Sequence, residues 1–227
     1  MLLAYESISF CTKTNLSILK SALLIFIKNP ELGKVKTRLA ATIGDENALK
    51  VFNKLLENIH QKSLGVSADK TVYYSSFIDE NDNWENEIFQ KKIQNQSPDL
   101  GQRMFSAFKE AQTSGYTKAL IVGSDIFEVT TQILDHGFEL LENSDTVIGP
   151  SPDGGYYAIG FNFQNIHSSD FLHNIFLNKT WSHQNVSADA IDVINSYSLT
   201  CGFLPTLNDI DTEEDLKKNP DLYNIIQ

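Results

Sequence analysis

Apolar residues along this chain recur with two alternating periods. Leu23-Leu24-Ile25-Phe26-Ile27 is an unbroken apolar run, the mark of a strand buried on both faces. Ala48, Val51, Phe52, Leu55, Leu56 and Ile59 then fall at helical spacing and predict a helix over about 45–62. Thr71-Val72-Tyr73-Tyr74 is strand-like in its β-branched and aromatic content, and a short strand near 92–96 follows a polar stretch, 79–87. Leu100, Met104, Phe108 and Ala111 mark a helix closing near Gly115. Ala119-Leu120-Ile121-Val122 is the strongest strand signal, and Ile133, Leu134, Phe138 and Leu141 a further helix face. Thr146-Val147-Ile148 and Tyr156-Tyr157-Ala158-Ile159 read as strands across the turn-rich Pro150–Gly155. Helical segments at 170–177 and 188–196 precede a strand around 199–204. Thr212, with Asp215 three residues on, predicts the N-cap of a last short helix.

Strands alternating with helices predict an α/β protein: a single three-layer α/β/α domain with a mainly parallel sheet. The hairpin at 145–160 and the late strand interrupt the repeat, so the sheet should be mixed. The domain is expected over 21–227, with residues 1–20 as an N-terminal extension of no assigned role. Those 20 residues lack a basic start followed by an apolar core, and Glu6 intrudes, so they do not read as a signal peptide.

Charge sharpens the picture at one place. The chain carries 18 basic and 29 acidic residues, a net −11. Removing the four cations and one carboxylate of 28–38 leaves 14 and 28, a remainder of −14. Such a field repels nucleic acid and anionic membrane, and no apolar run approaches the roughly 20 residues of a membrane span. The basic stretch Lys28–Arg38 is therefore a local exception suited to a small anion. Cys11 and Cys201 share no C-x-x-C spacing and are expected to be reduced thiols of a cytoplasmic protein.

Three polar clusters fall at predicted strand ends, where open α/β sheets bind ligands. In the first, Pro30 and Gly33 shape a turn, and Lys28, Lys34, Lys36 and Arg38 offer cations to phosphate oxygens. A solvated basic loop is the plainer alternative. It is neither G-x-x-x-x-G-K-[ST] nor G-x-G-x-x-G. In the second, Ser124-Asp125 ends a buried strand; Asp125 suits Mg²⁺, or equally the cap of a helix starting near 128. In the third, Asp209-Ile210-Asp211 sends both carboxylates to one face if extended, for a metal or for a helix start. A fourth segment, Gly149-Pro150-Ser151-Pro152-Asp153-Gly154-Gly155-Tyr156-Tyr157, reads as a plain hairpin turn or as a shaped acceptor pocket. In the latter Asp153 would position or deprotonate an acceptor and Gly154, Gly155 and Tyr156 would line it. Gln102-Arg103 could add a phosphate contact. The five histidines show no metal-ligand spacing, and no G-x-S-x-G elbow is present.

"FIKNPELGKVKTRLA", "DLGQRM", "LIVGSD", "IGPSPDGGYYAIG", "IFLNKTWS" and "LNDIDTEEDL", in that order over about 22–217, resemble the motifs of a bacterial family. That family is described as glycosyltransferases of the nucleotide-diphospho-sugar transferase superfamily. The chain is more distantly similar to molybdenum-cofactor cytidylyl- and guanylyltransferases and to 2-phospholactate guanylyltransferase. The resemblance implies a glycosyltransferase A-type, Rossmann-like fold. It implies nucleotide phosphates held at Gly33, Lys34, Lys36 and Arg38, and Mg²⁺ (or Mn²⁺) on Asp125 with Asp209 or Asp211; Lys28, Arg103 and Ser124 are expected as further phosphate contacts. The expected catalytic set is Lys36, Arg38, Asp125 and Asp153. Where the family commonly reads G-S-D-C-P, this chain has Ile126-Phe127.

Three functions follow as expectations. The first is transfer of a nucleotidyl group to a phosphorylated small-molecule acceptor. The second is glycosyl transfer from a nucleoside diphosphate sugar, although D-x-D is absent from the central strand end. The third is a non-catalytic nucleotide- or partner-binding module.

Overall fold

The computed structural model describes residues 20–181 and 183–227. The expected N-terminal extension, but for Lys20, and Cys11 lie outside the described residues. Among the described residues seven strands form one sheet: β1 (Ser21–Ile27), β2 (Asp69–Tyr74), β3 (Phe89–Ile93), β4 (Lys118–Gly123), β5 (Thr146–Pro150), β6 (Tyr156–Asn162) and β7 (Cys201–Phe203). Their order is β3-β2-β1-β4-β6-β5-β7. β6 runs antiparallel to both neighbours and every other pairing is parallel. The sheet is therefore mixed and mainly parallel, and the 146–162 hairpin is what reverses it.

Alternation along the strands divides the core. Leu23, Ile25, Val72, Leu120 and Val122 face one side. There they meet helix α2 (Asp45–Leu64) through Ile59 and α4 (Thr131–Asn143) through Leu134 and Leu141. Ala22, Leu24, Ile121, Ile159 and Phe161 face the other. They are covered by α3 (Leu100–Thr113), α5 (Phe171–Phe176) and α6 (Val186–Ser196). Phe108 stacks on Phe176 at 5.5 Å between centroids and meets Phe161 edge-on at 4.6 Å. A third cluster joins α1 (Thr37–Ile43), α2, α7 (Glu213–Lys217) and α8 (Pro220–Tyr223) through Leu39, Leu55, Ile210, Leu216 and Leu222.

Caps set several boundaries. Asp99 accepts the Gln102 N–H at 2.7 Å and starts α3, and Thr130 starts α4. Thr212 and Asp215 form a reciprocal capping box that starts α7. Some expectations are corrected. The helix expected from about 128 begins at Thr131 with Thr130 as its cap, so Asp125 caps nothing. Thr212, and neither Asp209 nor Asp211, caps α7. Helix α1 has no counterpart in the periodicity reading. The strand near 92–96 runs 89–93 instead, because Phe89 is buried and Gln94 leaves the strand to bond the Ile27 and Tyr73 carbonyls at 3.0 Å each. The polar stretch 79–87, open to a surface loop or a short helix, is irregular and buries Trp84 edge-on against Phe89.

From β1 the chain moves to β2 and β3 on one side and returns to β4 on the other. The carboxyl ends of β1 and β4 thus form a switch point, with Phe26 opposite Gly123.

Candidate active site

Lys28 and Asn29 leave the end of β1. Asn29 is buried and bonds across to the loop after β2: its amide donates to the Phe77 carbonyl at 2.8 Å and its side-chain oxygen accepts the Ser76 N–H at 3.0 Å. This pins the base of the basic loop. Gly33 follows with φ +74°, a left-handed turn that suits glycine. Lys36 also adopts a left-handed conformation (φ 47°, ψ 42°), just before α1. For a non-glycine residue this costs roughly 1–2 kcal/mol, and such strain gathers at functional sites.

What offsets the strain is the ammonium position. Lys36 Nζ lies 3.0 Å from Asp125 Oδ1 and 3.0 Å from Asp211 Oδ1, with its side chain 4% exposed. Burial alone would depress its pKa, but Asp125 and Asp211 outweigh that and hold it above the ordinary lysine value. Arg38, exposed, approaches Asp211 Oδ2 at 3.4 Å. Asp211 comes within reach because residues 209–210 add to the segment after β4. Ile126 and Asp209 form an antiparallel bridge, and the Ile210 N–H donates to the Asp125 carbonyl at 3.0 Å. Two carboxylate segments distant in sequence are laced together by backbone.

Asp209 has the least ordinary environment. Its Oδ1 is buried and has no hydrogen-bond partner among the described residues. Burial first, then the neighbouring charges of Asp125, Asp211 and Asp153, push its carboxyl up to about 7. A buried, unpartnered carboxylate oxygen beside a second, half-exposed carboxylate is a fitting seat for a divalent cation. Among the described residues no group of three or more His, Cys, Asp or Glu side chains is placed to hold a metal alone. Mg²⁺ does not need one, because it takes one or two carboxylates and fills its shell with water and substrate phosphate. Asp125 and Asp209 fit that mode.

Two adjoining cavities meet at this point, and Lys28 and Asp125 line both. The smaller, about 140 Å³, is polar and adds Lys36, Thr37, Arg38 and Asp211. The larger, about 280 Å³, is mainly apolar, with Phe26, Leu100, Met104 and Tyr156 in its walls and Ser124, Asp209 and Arg103 at polar positions. Arg103 is oriented by the Ser97 carbonyl, which accepts its Nε–H at 2.7 Å.

The expected residues divide accordingly. Lys28, Lys36, Arg38, Arg103, Ser124, Asp125, Tyr156, Asp209 and Asp211 line the two cavities. Lys34 turns outward to Glu31 at 2.7 Å and lines neither. Asp153 is exposed and closes its own turn, accepting from the Ser151 hydroxyl and the Gly155 N–H, each at 2.9 Å. Gly154 and Gly155 belong to that turn. Phe127, the departure from the family pattern, packs against the cluster of Leu39, Val51 and Leu216, so its bulk is absorbed in the core. Asn29, Ser75 and Gln94 are cleft or loop-anchoring residues absent from the sequence reading. Each sits just past a strand end, the same signal that singles out Asp125.

This α/β architecture, with its cleft at the β1/β4 switch point, matches those of solved nucleotide-sugar and cytidylyl transferases. A Desulfovibrio desulfuricans G20 protein provisionally named a nucleotide-diphospho-sugar transferase is 26% identical to this chain. It superposes with a TM-score of 0.76 over 91% of this chain and 97% of its own. Cytidylyl-transferring enzymes share the fold at low identity. CMP:2-keto-3-deoxy-manno-octonic acid synthetase, solved with CTP, is 7% identical with a TM-score of 0.53 over 92% and 100% of the two chains. The 4-diphosphocytidyl-2C-methyl-D-erythritol synthase of Anaerococcus prevotii DSM 20548 is 9% identical, with a TM-score of 0.54 over 90% and 98%. No curated protein matches the chain. Residues 60–183, more than half of the chain, match the family described as uncharacterized protein conserved in bacteria (DUF2064), and the chain belongs to that family. Asp125 and the Asp153 turn lie inside the matched segment, while the basic loop and Asp209–Asp211 lie outside it.

Proposed function

We propose that this protein is a metal-dependent nucleotidyltransferase, carrying a nucleotidyl group from a nucleoside triphosphate to a phosphorylated small-molecule acceptor. The observation that carries the reading is the Lys36 ammonium, 3.0 Å from both Asp125 and Asp211 where a cationic and an apolar cavity join. The polar compartment suits phosphates and the apolar one the base and acceptor. An acceptor phosphate oxygen attacks the α-phosphorus, forming an O–P bond as the α–β bridge breaks and pyrophosphate departs. Positioning and charge neutralisation dominate such chemistry. Lys28, Lys36 and Arg38 face the departing pyrophosphate, Ser124 and the β4 end hold the α-phosphate region, and Asp125 with Asp209 would hold Mg²⁺ or Mn²⁺. When bound, that ion would neutralise phosphate charge and fix the in-line geometry. The attacking oxygen is already deprotonated, so the commitment of Asp153 to its own turn leaves nothing missing.

Glycosyl transfer from a nucleoside diphosphate sugar is the second reading, favoured by likeness to the Desulfovibrio protein. A hydroxyl acceptor then needs a base; Asp153 is committed to its own turn, and Asp209 would be free for that role only if Asp125 alone held the ion. Incubation with each nucleoside triphosphate, Mg²⁺ and a panel of sugar and polyol phosphates separates the readings. Pyrophosphate release is the expected outcome. Release of nucleoside diphosphate from nucleotide sugars would replace it with the second reading, and neither product across both panels would leave a binding module. Among the described residues no helix is long and apolar enough to cross a membrane.

A further inference from the structure

Three of the sequence motifs converge away from the phosphate end of the cleft. Gly101, of "DLGQRM", lies so close to the segment after α5 that a Cβ there would sit 2.0 Å from the Phe176 carbonyl oxygen and 2.6 Å from the Trp181 ring. Gly154, of "PSPDGGYY", has φ +88°, and its Cβ would fall 1.8 Å from the Gln184 carbonyl oxygen. The Ser187 N–H also donates to the Gly154 carbonyl at 2.9 Å. Two glycines thus clamp the connection, one at Phe176 and Trp181 and the other at Gln184. The clamp sets Trp181 edge-on to Tyr156, with ring centroids 6.4 Å apart and planes at 85°.

Both rings carry a buried polar atom without a partner among the described residues, the Tyr156 hydroxyl and Trp181 Nε1. Each such group left unsatisfied costs about 1–3 kcal/mol. Two such atoms on rings in edge contact, in a corner held by glycines, point to an oxygen that arrives from outside. Burial keeps the Tyr156 phenol protonated and therefore a donor. The indole N–H can only donate. The two rings bound a cavity of about 10 Å³, close to the room one oxygen needs, with Lys179, Thr180 and Asp189 in its wall beside the apolar Ile175, Val186 and Ala190. Tyr156 also lines the main cleft, so the corner borders it. A hydroxyl group answers this set, because it accepts from the phenol and indole while offering its own proton to Asp189.

We propose that this aromatic corner is the far end of the acceptor subsite and takes a hydroxyl of a sugar- or cyclitol-like phosphate. The word acceptor rests on the transferase reading, whereas the corner's preference for a hydroxyl does not. The chain has two tryptophans, so the full-length protein labelled with 5-fluorotryptophan should show two ¹⁹F resonances, the Trp181 signal assigned by W181F. Titration with hexose, pentose and inositol monophosphates should shift the Trp181 resonance saturably. Inorganic phosphate and phosphoglycolate, which carry no carbon-bound hydroxyl, should not. Y156F removes an unpartnered hydroxyl, so it should keep the melting point while weakening the productive probe at least five-fold. A Trp181 resonance silent to every sugar and cyclitol phosphate would overturn the proposal and leave a trapped water. An equal response to phosphoglycolate would overturn it in favour of an anion site. Nucleotide binding, read separately by thermal shift, distinguishes the failures. Nucleotide bound with Trp181 silent sinks the subsite alone; Trp181 responsive without nucleotide binding or pyrophosphate release sinks the transferase reading and leaves the hydroxyl site standing.

Discussion

Replacing Asp209 by Asn isolates the electrostatic strain at the centre of the cleft. Burial, and then Asp125, Asp211 and Asp153, raise this carboxyl from 3.8 to about 7 in the folded protein. Because the folded value lies above the unfolded one, the native state retains the proton more tightly between about pH 4 and pH 7. The associated stability is full below pH 4 and is lost as pH rises through 7. Three units at about 1.36 kcal/mol each give a ceiling near 4 kcal/mol. With water entering an open cleft and Lys36 beside the group, about 2 kcal/mol is the expected size. Asn keeps the shape and removes the charge. Urea unfolding followed by circular dichroism should show wild type losing about 2 kcal/mol relative to D209N between pH 4 and pH 8. Mg²⁺ should restore wild type at pH 8 and do little for D209N. A difference between the two proteins that stays constant across that range would refute the reasoning, since it would mean Asp209 titrates as an ordinary carboxyl.

Two further outcomes follow from the same site. K36M removes the cation that bridges Asp125 and Asp211, so calorimetry on the nucleotide-free protein should show Mn²⁺ binding more tightly, while nucleotide affinity falls by more than about 1 kcal/mol; unchanged Mn²⁺ affinity would show that the ammonium does not compete for those carboxylates. R38E should weaken nucleotide binding in a thermal-shift assay, whereas K34E, at a residue paired outward with Glu31, should leave it within about 0.5 kcal/mol; equal effects would return Lys34 to the phosphate site.

Much of the architecture was legible because its signals are local. The runs at 23–27 and 119–122 are buried on both faces, and their apolar continuity says so. The Thr212/Asp215 spacing announces a capping box that the structure contains. Helix α1 was illegible because seven residues, TRLAATI, are too few for a period, and it starts from a left-handed lysine that no propensity favours. Phe89–Ile93 is an edge strand carrying two lysines, so tertiary pairing and not composition makes it a strand. In the site, strand ends flagged Lys28 and Asp125. Nothing local could show Lys34 facing out while Lys36 faces in, because that choice depends on the left-handed turn at Lys36. Nor could spacing reveal that Asp153 serves its own turn, or that Phe127 finds room in the core beneath α2 and α7.

The Ile126–Asp209 bridge bears on the order in which the molecule becomes competent. All seven strands end by Phe203, six residues before the second carboxylate segment. A chain whose seven strands are already paired therefore still lacks half of its acidic cradle until the segment after Phe203 docks. Truncation between 204 and 208 removes Asp209 and Asp211 together with the Ile210, Leu216 and Leu222 side of the third cluster, so completion of the site is tied to docking of the C-terminal segment.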